Sequence, residues 1–501
     1  MKKRQFIRIF TIFIIILLIF AIFVLTFKAY QFLKTPQTDF CEVLPKNTAF
    51  VLKSSNTLEI TLLAERKSDL LNLLFDNKNT EKITSLLQKT NKVIDNQNFK
   101  KKSTLSIAWI ATQKGYSPLM ILQTDKMQNH YLERFWEYLQ KDTQFIDFQY
   151  NNTQIYAKKT SQNNFFCYKK EGVLVFAFEE YVIRLSINNL NSKQKDFKSA
   201  FISLEKQDIK QHFSLFIQHS YFNPYIQSKI LQTDGDDTFL APLNCLTYSI
   251  LSINRHANTI QASGRGKVAK KSFYSLFTHR KYKSDILQYI PMGAKNVCVL
   301  NAKNCEMLAQ IKLQNNDRED FTKLLLPRQL AFFELPTDSN HYPYIALESE
   351  NIEEAEFHLF QCIETQYIDN QYVIDTTCIG AYTIGKINLD NFIATDWGLF
   401  KKIPHLKFYT TIGNKIIFST TKEAIILYIN NIRKNRTLDK QPTFQNFDTY
   451  FTKNYNFLIY NNLLQNKKIS KKHSLPIHSF RLQISSLSDS TVLCNYVVKM
   501  R

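Results

Sequence analysis

The side chains best suited to chemistry in this 501-residue chain are ten histidines, eight cysteines and several carboxylate clusters, so their spacing is the first question. The nearest histidine pairs are His212/His219 and His473/His478. Neither has the HxH or HxxxH spacing that turns two imidazoles toward one metal from a strand or a helix. Cys41, Cys167, Cys245, Cys298, Cys305, Cys362, Cys378 and Cys494 include no CxxC, and the gap between Cys298 and Cys305 fits no common zinc spacing. Asp234-Gly235-Asp236-Asp237 gathers acid but lacks the spaced ligands and closing Glu of a calcium loop, so it reads as a turn. Gly264-Arg265-Gly266-Lys267 follows a strand and reads as a basic turn rather than a phosphate loop. Glu348, Glu350, Glu353, Glu354 and Glu356 fall where a helix is expected to start, a place that suits carboxylates. Trp109, Trp136 and Trp397 read as core. No GxxxxGK[ST], HExxH, GxSxG or GxGxxG occurs. The sequence therefore predicts no catalytic residue, no cofactor-binding residue, no metal ligand and no cofactor.

Composition bounds the elements that would position such groups. Hydrophobic residues make up 44% of the chain, enough for sizeable cores, and the length suggests about three domains or fewer. With 10 glycines and 12 prolines, collagen-like and low-complexity readings are excluded, and phosphate loops built on glycine are disfavoured.

The first 30 residues set placement. Lys2, Lys3, Arg4 and Arg8 precede 19 uncharged residues, Ile9–Phe27, nearly all Ile, Leu, Phe or Val. At about 1.5 Å per residue such a helix spans roughly 28 Å of hydrocarbon. The core is longer than that of a cleavable signal, and Thr26-Phe27-Lys28-Ala29-Tyr30 offers no small-x-small site, so an uncleaved anchor is expected. Cys41, after Thr38-Asp39-Phe40, lacks a lipidation pattern. The positive charges should keep the short tail in the cytoplasm and place the body outside it, as a single-pass protein of the cell inner membrane.

The formal net charge is +21, of which +17 lies beyond the tail. Nucleic acid is an unsuitable partner on that side of the membrane. Anionic lipid or envelope polymer is a milder reading, and a Lys-, Asn-, Ile-, Phe- and Tyr-rich composition is the plainest one. The densest basic stretch, Lys267 to Lys283 with Lys270, Lys271, Arg280 and Lys281, reads as a solvated linker.

An internal duplication organises the rest. Leu174–Phe178 matches Ile416–Thr420, and Tyr181–Leu190 (YVIRLSINNL) matches Glu423–Ile432 (EAIILYINNI), both at an offset of 242. Phe176, Ile183, Leu185, Ile187, Asn188 and Asn189 are identical in the other copy. Upstream, Leu44–Leu52 resembles Ile290–Leu300, an aliphatic-Pro turn feeding a strand. Leu105–Leu122, two strands about a loop at Gly115, has its partner in Leu330–Leu347. Helix-period segments follow at Leu132, Phe135, Trp136 and Leu139 and at Ile352, Ala355, Leu359 and Ile363. Downstream, Phe197/Phe201 face Phe444/Phe447, Ser214–Ile217 matches Asn456–Ile459, and each copy closes with alternating strands, Leu246–Ala262 and Phe480–Val498. Thr420 with Glu423 forms a capping-box pattern for a helix presenting Ala424, Leu427, Tyr428 and Asn431 on one face. The order predicted for each copy is strand, helix, two strands, helix, two or three strands, helix, strand, hairpin.

The fold class expected is thus α+β: an N-terminal transmembrane helix, then two tandem, similar α+β units with mainly antiparallel sheets. The boundaries are 1–30 tail and anchor, 31–43 linker, 44–268 first unit, 269–285 basic linker and 286–501 second unit.

The opening LPKNTAFVLKSSNTLEI after a single anchor resembles the bacterial domain-of-unknown-function 3352 family, in its Bacteroidota-type members. So does Gly413–Ile432 (GNKIIFSTTKEAIILYINNI) with the following Leu438–Phe447. Copy one departs from that pattern after Leu190, where Lys193–Phe201 has no proline. The resemblance implies an envelope protein with no assigned activity and carries over no functional residue. The function expected is a non-enzymatic, membrane-anchored binding or scaffolding module toward an envelope protein or polymer. The alternative is an envelope hydrolase with a composite site between the copies. A third reading is a basic protein of the lipid surface.

Overall fold

The computed structural model describes residues 20, 22–27, 37–54, 56–57, 59–60, 71, 74–75, 77–93, 103–124, 129–141, 145–159, 164–192, 204, 213–226, 243, 245–269, 282–283, 285–301, 325, 327–337, 340–370, 376–389, 406–462, 477–488 and 490–500. Most of the apolar run Ile9–Phe27 lies outside them. Among the described residues no helix is long and apolar enough to cross a membrane.

The chain opens with β1 (Thr48–Ser54), α1 (Asn77–Val93), the hairpin β2 (Thr104–Thr112) and β3 (Gly115–Gln123), and α2 (Asn129–Lys141). Four strands follow, β4 (Ile146–Tyr150), β5 (Thr153–Lys159), β6 (Asn164–Lys170) and β7 (Val173–Ala177). Then come α3 (Glu180–Asn191), β8 (Phe213–Gln218), α4 (His219–Ile226) and a second hairpin, β9 (Leu246–His256) and β10 (Thr259–Val268). Past the short β11 (Tyr282–Lys283) lie β12 (Lys295–Asn301), β13 (Pro327–Pro336), β14 (His341–Ser349) and α5 (Ile352–Asn370). The chain continues through β15 (Thr376–Ile379), β16 (Tyr382–Leu389), β17 (Leu406–Ile412), β18 (Lys415–Ser419) and α6 (Lys422–Arg433). It ends with β19 (Asn454–Tyr455), β20 (Phe457–Asn462), β21 (Ile477–Ser488) and β22 (Thr491–Met500).

Twenty strands form one sheet, and every pairing in it is antiparallel; β11 and β19 pair separately. From one edge the order is β4-β5-β6-β7-β3-β2-β1-β8-β9-β10. It continues without a break through β22-β21-β20-β12-β13-β14-β18-β17-β16-β15. Hairpin linkage explains the antiparallel sense, because a parallel pair would need a crossover between sequential strands. Asn151 and Asn152, both at positive φ, close the two-residue turn between β4 and β5, the conformation that matches strand twist.

Alternation of side chains divides the core. One face of the sheet carries a cluster that runs across both ends of the chain, from Leu105, Trp109 and Leu122 through Leu251, Ile260 and Cys494 to Leu347 and Phe418. It is capped by Ile83 and Leu87 of α1, Phe135 and Trp136 of α2, Phe222 and Tyr225 of α4, and Leu359 and Ile363 of α5. The opposite face holds two separate clusters. Val182, Ile183 and Ile187 of α3 cover Val51, Ala108 and Ile250, while Ile425, Tyr428 and Ile429 of α6 cover Val299, Ala346 and Val497.

Several local expectations shift. Four strands, not two or three, separate α2 from α3, and α4, whose interior Pro224 reads against a helix, follows β8 directly. The α6 cap is Thr421 rather than Thr420, its hydroxyl accepting from the Ala424 amide at 3.1 Å, and the buried face is Ala424, Ile425, Tyr428 and Ile429. The basic segment expected as the linker 269–285 contains β11, which pairs with β19, and ends at the turn Ile286–Tyr289; residues 270–281 lie outside the described residues.

Candidate functional site

One histidine is built into a chemical constellation. His219 opens α4 immediately after β8, so the strand end and the first helical turn together fix its ring. Its Nδ1 lies 3.1 Å from Asn223 Oδ1, one helical turn on, and its Nε2 lies 2.8 Å from Ser249 Oγ in β9. Because an amide oxygen only accepts, Nδ1 carries the proton and Nε2 accepts from the serine hydroxyl. Burial drives the imidazole pKa down to about 4, with the Asn223 bond opposing, so the ring is neutral near pH 7. Cys494 of β22 hydrogen-bonds Ser249, and burial pushes its thiol up to about 12. The network thus reaches across the β10–β22 seam. A cavity of about 310 Å³ beside it is lined by Gln218, His219, Ser220, Asn223, Leu246, Thr247 and Tyr248.

Ser-His-Asn in that order is the constellation of a nucleophilic hydrolase, but its surroundings are those of a structural network. Ser249 is fully buried and does not line the cavity. It sits mid-strand, between Ile217 of β8 and Gly266 of β10, where neighbouring amides are committed to the sheet and cannot form an oxyanion hole. Behind its hydroxyl the backbone is packed: a Cβ on Gly266 would lie 2.9 Å from Ser249 Oγ and 3.1 Å from Cys494 Sγ. A base held near pKa 4 is also weak at neutral pH.

A second polar cluster ties β14 and β18 to the turn Ile286–Tyr289. Lys415 is 1% exposed, with its Nζ 2.6 Å from Asn414 Oδ1, 3.6 Å from Glu348 Oε2, 3.7 Å from Asp285 Oδ2 and 4.1 Å above the Tyr289 ring. Burial raises the Glu348 carboxyl, Lys415 opposes the rise and the Asp285 charge adds to it. Across the sheet, Arg481 is clamped between Phe444 and Phe451, 4.4 and 4.5 Å from their centroids, and donates to Asp448 Oδ1 at 2.9 Å.

The third feature is the middle of the sheet on the side of α3 and α6. The same four strands, β9, β10, β22 and β21, present Leu251, Ile260, Val492, Cys494 and Leu482 to the continuous core. On their other face the paired rows are Ser252, Ser263, Asn495 and Gln483, then Asn254, Gln261, Val497 and Arg481. Arg265 and Leu493 form the next pair, and Lys267 and Lys499 stand toward opposite ends. The α3 cluster reaches into β9 at Ile250 and the α6 cluster into β22 at Val497. The segment Phe444–Thr452 lies over β21 and β22, holding Arg481 between Phe444 and Phe451, bonding Gln483 through Thr452 and accepting from the Asn495 amide at the Tyr450 carbonyl. The polar side chains left partly open on this face are therefore Asn254 of β9 and Gln261, Ser263 and Arg265 of β10, with Lys267 exposed. Gln261 Nε2 donates to Asn495 Oδ1 at 3.3 Å across the β10–β22 boundary.

The residues singled out in the sequence disperse. Gly264-Arg265-Gly266-Lys267 is not a turn but the interior of β10. A Cβ on Gly264 would stand 2.0 Å from the Ile250 carbonyl oxygen, so glycine answers a close backbone approach. Glu348 closes β14 as a buried strand residue, whereas Glu353 and Glu354 do open α5. Trp109 and Trp136 are core. Cys41, Cys167, Cys245, Cys298 and Cys494 are buried thiols, and Cys378 is an exposed one. His212, His473, Asp234–Asp237, Trp397 and Cys305 lie outside the described residues. Among the described residues no cluster of His, Cys, Asp and Glu could hold a metal ion. The His219 network escaped the sequence because Ser249 and Cys494 are brought to it only by sheet pairing.

No family model matches the chain, and no curated protein matches it. Among solved structures the chain is similar to TP0453 in crystal form III, at 7% identity and a TM-score of 0.26, over 47% of this chain and 82% of that one. For crystal form I the values are 8%, 0.26, 48% and 82%, and for form IV they are 7%, 0.25, 46% and 81%.

Proposed function

We propose that the protein is a single-pass, membrane-anchored envelope protein whose body is a non-enzymatic binding module made of two similar α+β units. The observation that carries the binding reading is the β9–β10 strip on the side of α3 and α6, where Asn254, Gln261, Ser263 and Arg265 are half-buried and Lys267 is exposed between the α3 cluster and the segment Phe444–Thr452 that covers β21 and β22.

The two-unit reading is supported by the pairing order. Strands β4-β5-β6-β7-β3-β2-β1-β8-β9-β10 have counterparts, position by position, in β15-β16-β17-β18-β14-β13-β12-β20-β21-β22. Irregular register recurs at Thr48/Phe50 in β1 and at Lys295/Cys298 in β12. Ser186 of α3 donates to the Val43 carbonyl at 2.6 Å, and Tyr428 of α6 to the Tyr289 carbonyl at 2.7 Å, so the same helix position braces the same turn. The anchor, the cytoplasmic N-terminus and the likeness to the domain-of-unknown-function 3352 family rest on the sequence features already given.

Capture of the crosslinked full-length protein from membranes tests the binding reading. Adducts mapping to β9 or β10 support it, and adducts confined to other faces sink it. Protease added to spheroplasts should degrade the body, and a protected body refutes the orientation. The hydrolase alternative draws on the order and distances of Ser249, His219 and Asn223. Labelling by a fluorophosphonate probe that disappears in Ser249→Ala would establish it and end the non-enzymatic reading.

A further inference from the structure

On the continuous-core side of the sheet, α5 turns aromatic side chains to solvent. Phe357 and Phe360 are 59% and 50% exposed, while Ala355, Leu359 and Ile363 of the same helix are buried against the core. At about 100° per residue, Glu353, Phe357, Phe360 and Glu364 fall in one stripe, roughly a third of a turn round from the buried residues. All four are exposed, and their spacing is that of a helix–helix seam. The fold does not require aromatic groups there. After β3, α2 takes the place that α5 takes after β14, and it buries its fourth and eighth residues, Leu132 and Trp136, as α5 buries Ala355 and Leu359. The sixth and ninth residues, Phe357 and Phe360 in α5, are Arg134 and Glu137 in α2, both exposed. Charge differs as well. Glu353, Glu354, Glu356, Glu364 and Asp369 make α5 acidic, with no Lys or Arg, in a chain of net charge +21, whereas α2 balances Glu133 and Glu137 with Arg134 and Lys141.

We propose that this stripe docks an amphipathic helix of a partner protein, which sets apolar side chains against Phe357 and Phe360 and Lys or Arg against Glu353 and Glu364. The two acids stand eleven residues apart, about 16 Å along the axis, so the partner's cations lie about three helical turns from one another. Charge complementarity selects this occupant. A second copy laid α5 to α5, parallel or antiparallel, brings acid against acid. An anionic bilayer is repelled, and helices that lie on bilayers carry Lys and Arg on their polar face, where α5 has neither. The stripe and the β9–β10 strip lie on opposite sides of the sheet, so the inference goes beyond that reading and is tested separately.

The test uses the full-length protein in a non-ionic detergent, with empty micelles as the blank. Its probe is a fluorescein-labelled helical peptide with a leucine stripe flanked by lysines at the spacing of Glu353 and Glu364, read by anisotropy. The comparators are its glutamate-for-lysine analogue and vesicles rich in phosphatidylglycerol. The lysine peptide should bind, and bind more weakly as salt is raised. It should lose about tenfold in affinity in Phe357→Arg/Phe360→Glu, which installs the residues of α2 at no change in net charge. In Glu353→Gln/Glu364→Gln the loss should be about threefold. Glu137→Gln, on α2, should bind as the parent does. Unchanged near-ultraviolet dichroism of both double variants separates lost contacts from lost fold. Absence of lysine-peptide binding, binding indifferent to the phenylalanine variant, or equal binding of the glutamate analogue overturns the proposal. Vesicle flotation or self-association in sedimentation that the phenylalanine variant abolishes, without peptide binding, overturns it in favour of a lipid surface or a second copy. Failure here leaves the β9–β10 reading standing, because that strip is tested by crosslinks to β9 or β10.

Discussion

His219 should make the protein sensitive to mild acid, and the size of the effect follows from its surroundings. Its imidazole is held near pKa 4 against an ordinary 6.5, with burial as the main cause. Protons therefore bind the unfolded chain more readily than the folded one, and stability falls as the pH drops from 6.5 through 4. Above pH 6.5 the contribution is fully present. At pH 5 linkage puts the loss at about 2 kcal/mol, and below pH 4 it approaches about 3 kcal/mol. The groups that face the ring are Asn223 on its own helix and Ser249 on β9, backed by Cys494 on β22; the first two are uncharged and the thiol stays protonated throughout this range. His219→Gln removes the titration while keeping a polar side chain. At pH 7 the variant should be less stable by about 1–2 kcal/mol, since a buried partner loses its hydrogen bond. Because the parent alone then loses stability with acid, the two should converge near pH 5. Urea unfolding of the full-length protein and His219→Gln at pH 7, 6 and 5, followed by tryptophan fluorescence, reads the difference directly. All other titrating groups are shared and cancel. Parallel stability curves across that range would refute the assignment of a neutral, fully buried His219.

Three further outcomes follow from particular contacts. Gly264→Ala should lower the thermal midpoint, at a cost of about 1–3 kcal/mol or more, because its Cβ meets the Ile250 carbonyl at 2.0 Å; an unchanged melt would contradict the close approach of β9 and β10. Lys415→Met strands the buried Glu348 carboxyl and should cost about 3–5 kcal/mol in urea unfolding, most of it recovered in Lys415→Met/Glu348→Leu; additive losses would show that the two are not coupled. Among the described cysteines, Cys378 should react with a maleimide in the native protein, while Cys167, Cys298 and Cys494 react only on unfolding; mass-spectrometric mapping of early adducts to any of those three would contradict their burial.

Much of the architecture is legible in short-range pattern. Period-two apolar runs and the Gly115 turn mark β2 and β3. The match of Tyr181–Leu190 to Glu423–Ile432 marks two helices that lie on the same face of the sheet, each bracing its own turn. A helix cap displaced from Thr420 to Thr421 is a one-residue matter that adjacent threonines leave open. What pattern could not reach are groups joined by pairing between distant strands. Ser249 and Cys494 are separated by most of the second half of the chain, and Glu348, Lys415 and Asp285 come from three different segments.

The sequence by itself determined the kind of element at most positions and the lack of a local catalytic or metal motif, because backbone preference and helix or strand periodicity act over a few residues. Only the tertiary structure decided that the two hairpins β9–β10 and β21–β22 join edge to edge in one sheet, since hydrogen-bonding edges are chemically alike along any strand. That junction turned Gly264-Arg265-Gly266-Lys267 from an apparent turn into a strand interior. It aimed Arg265 and Lys267 onto the face opposite the continuous core, because alternate residues of a strand must point to opposite sides.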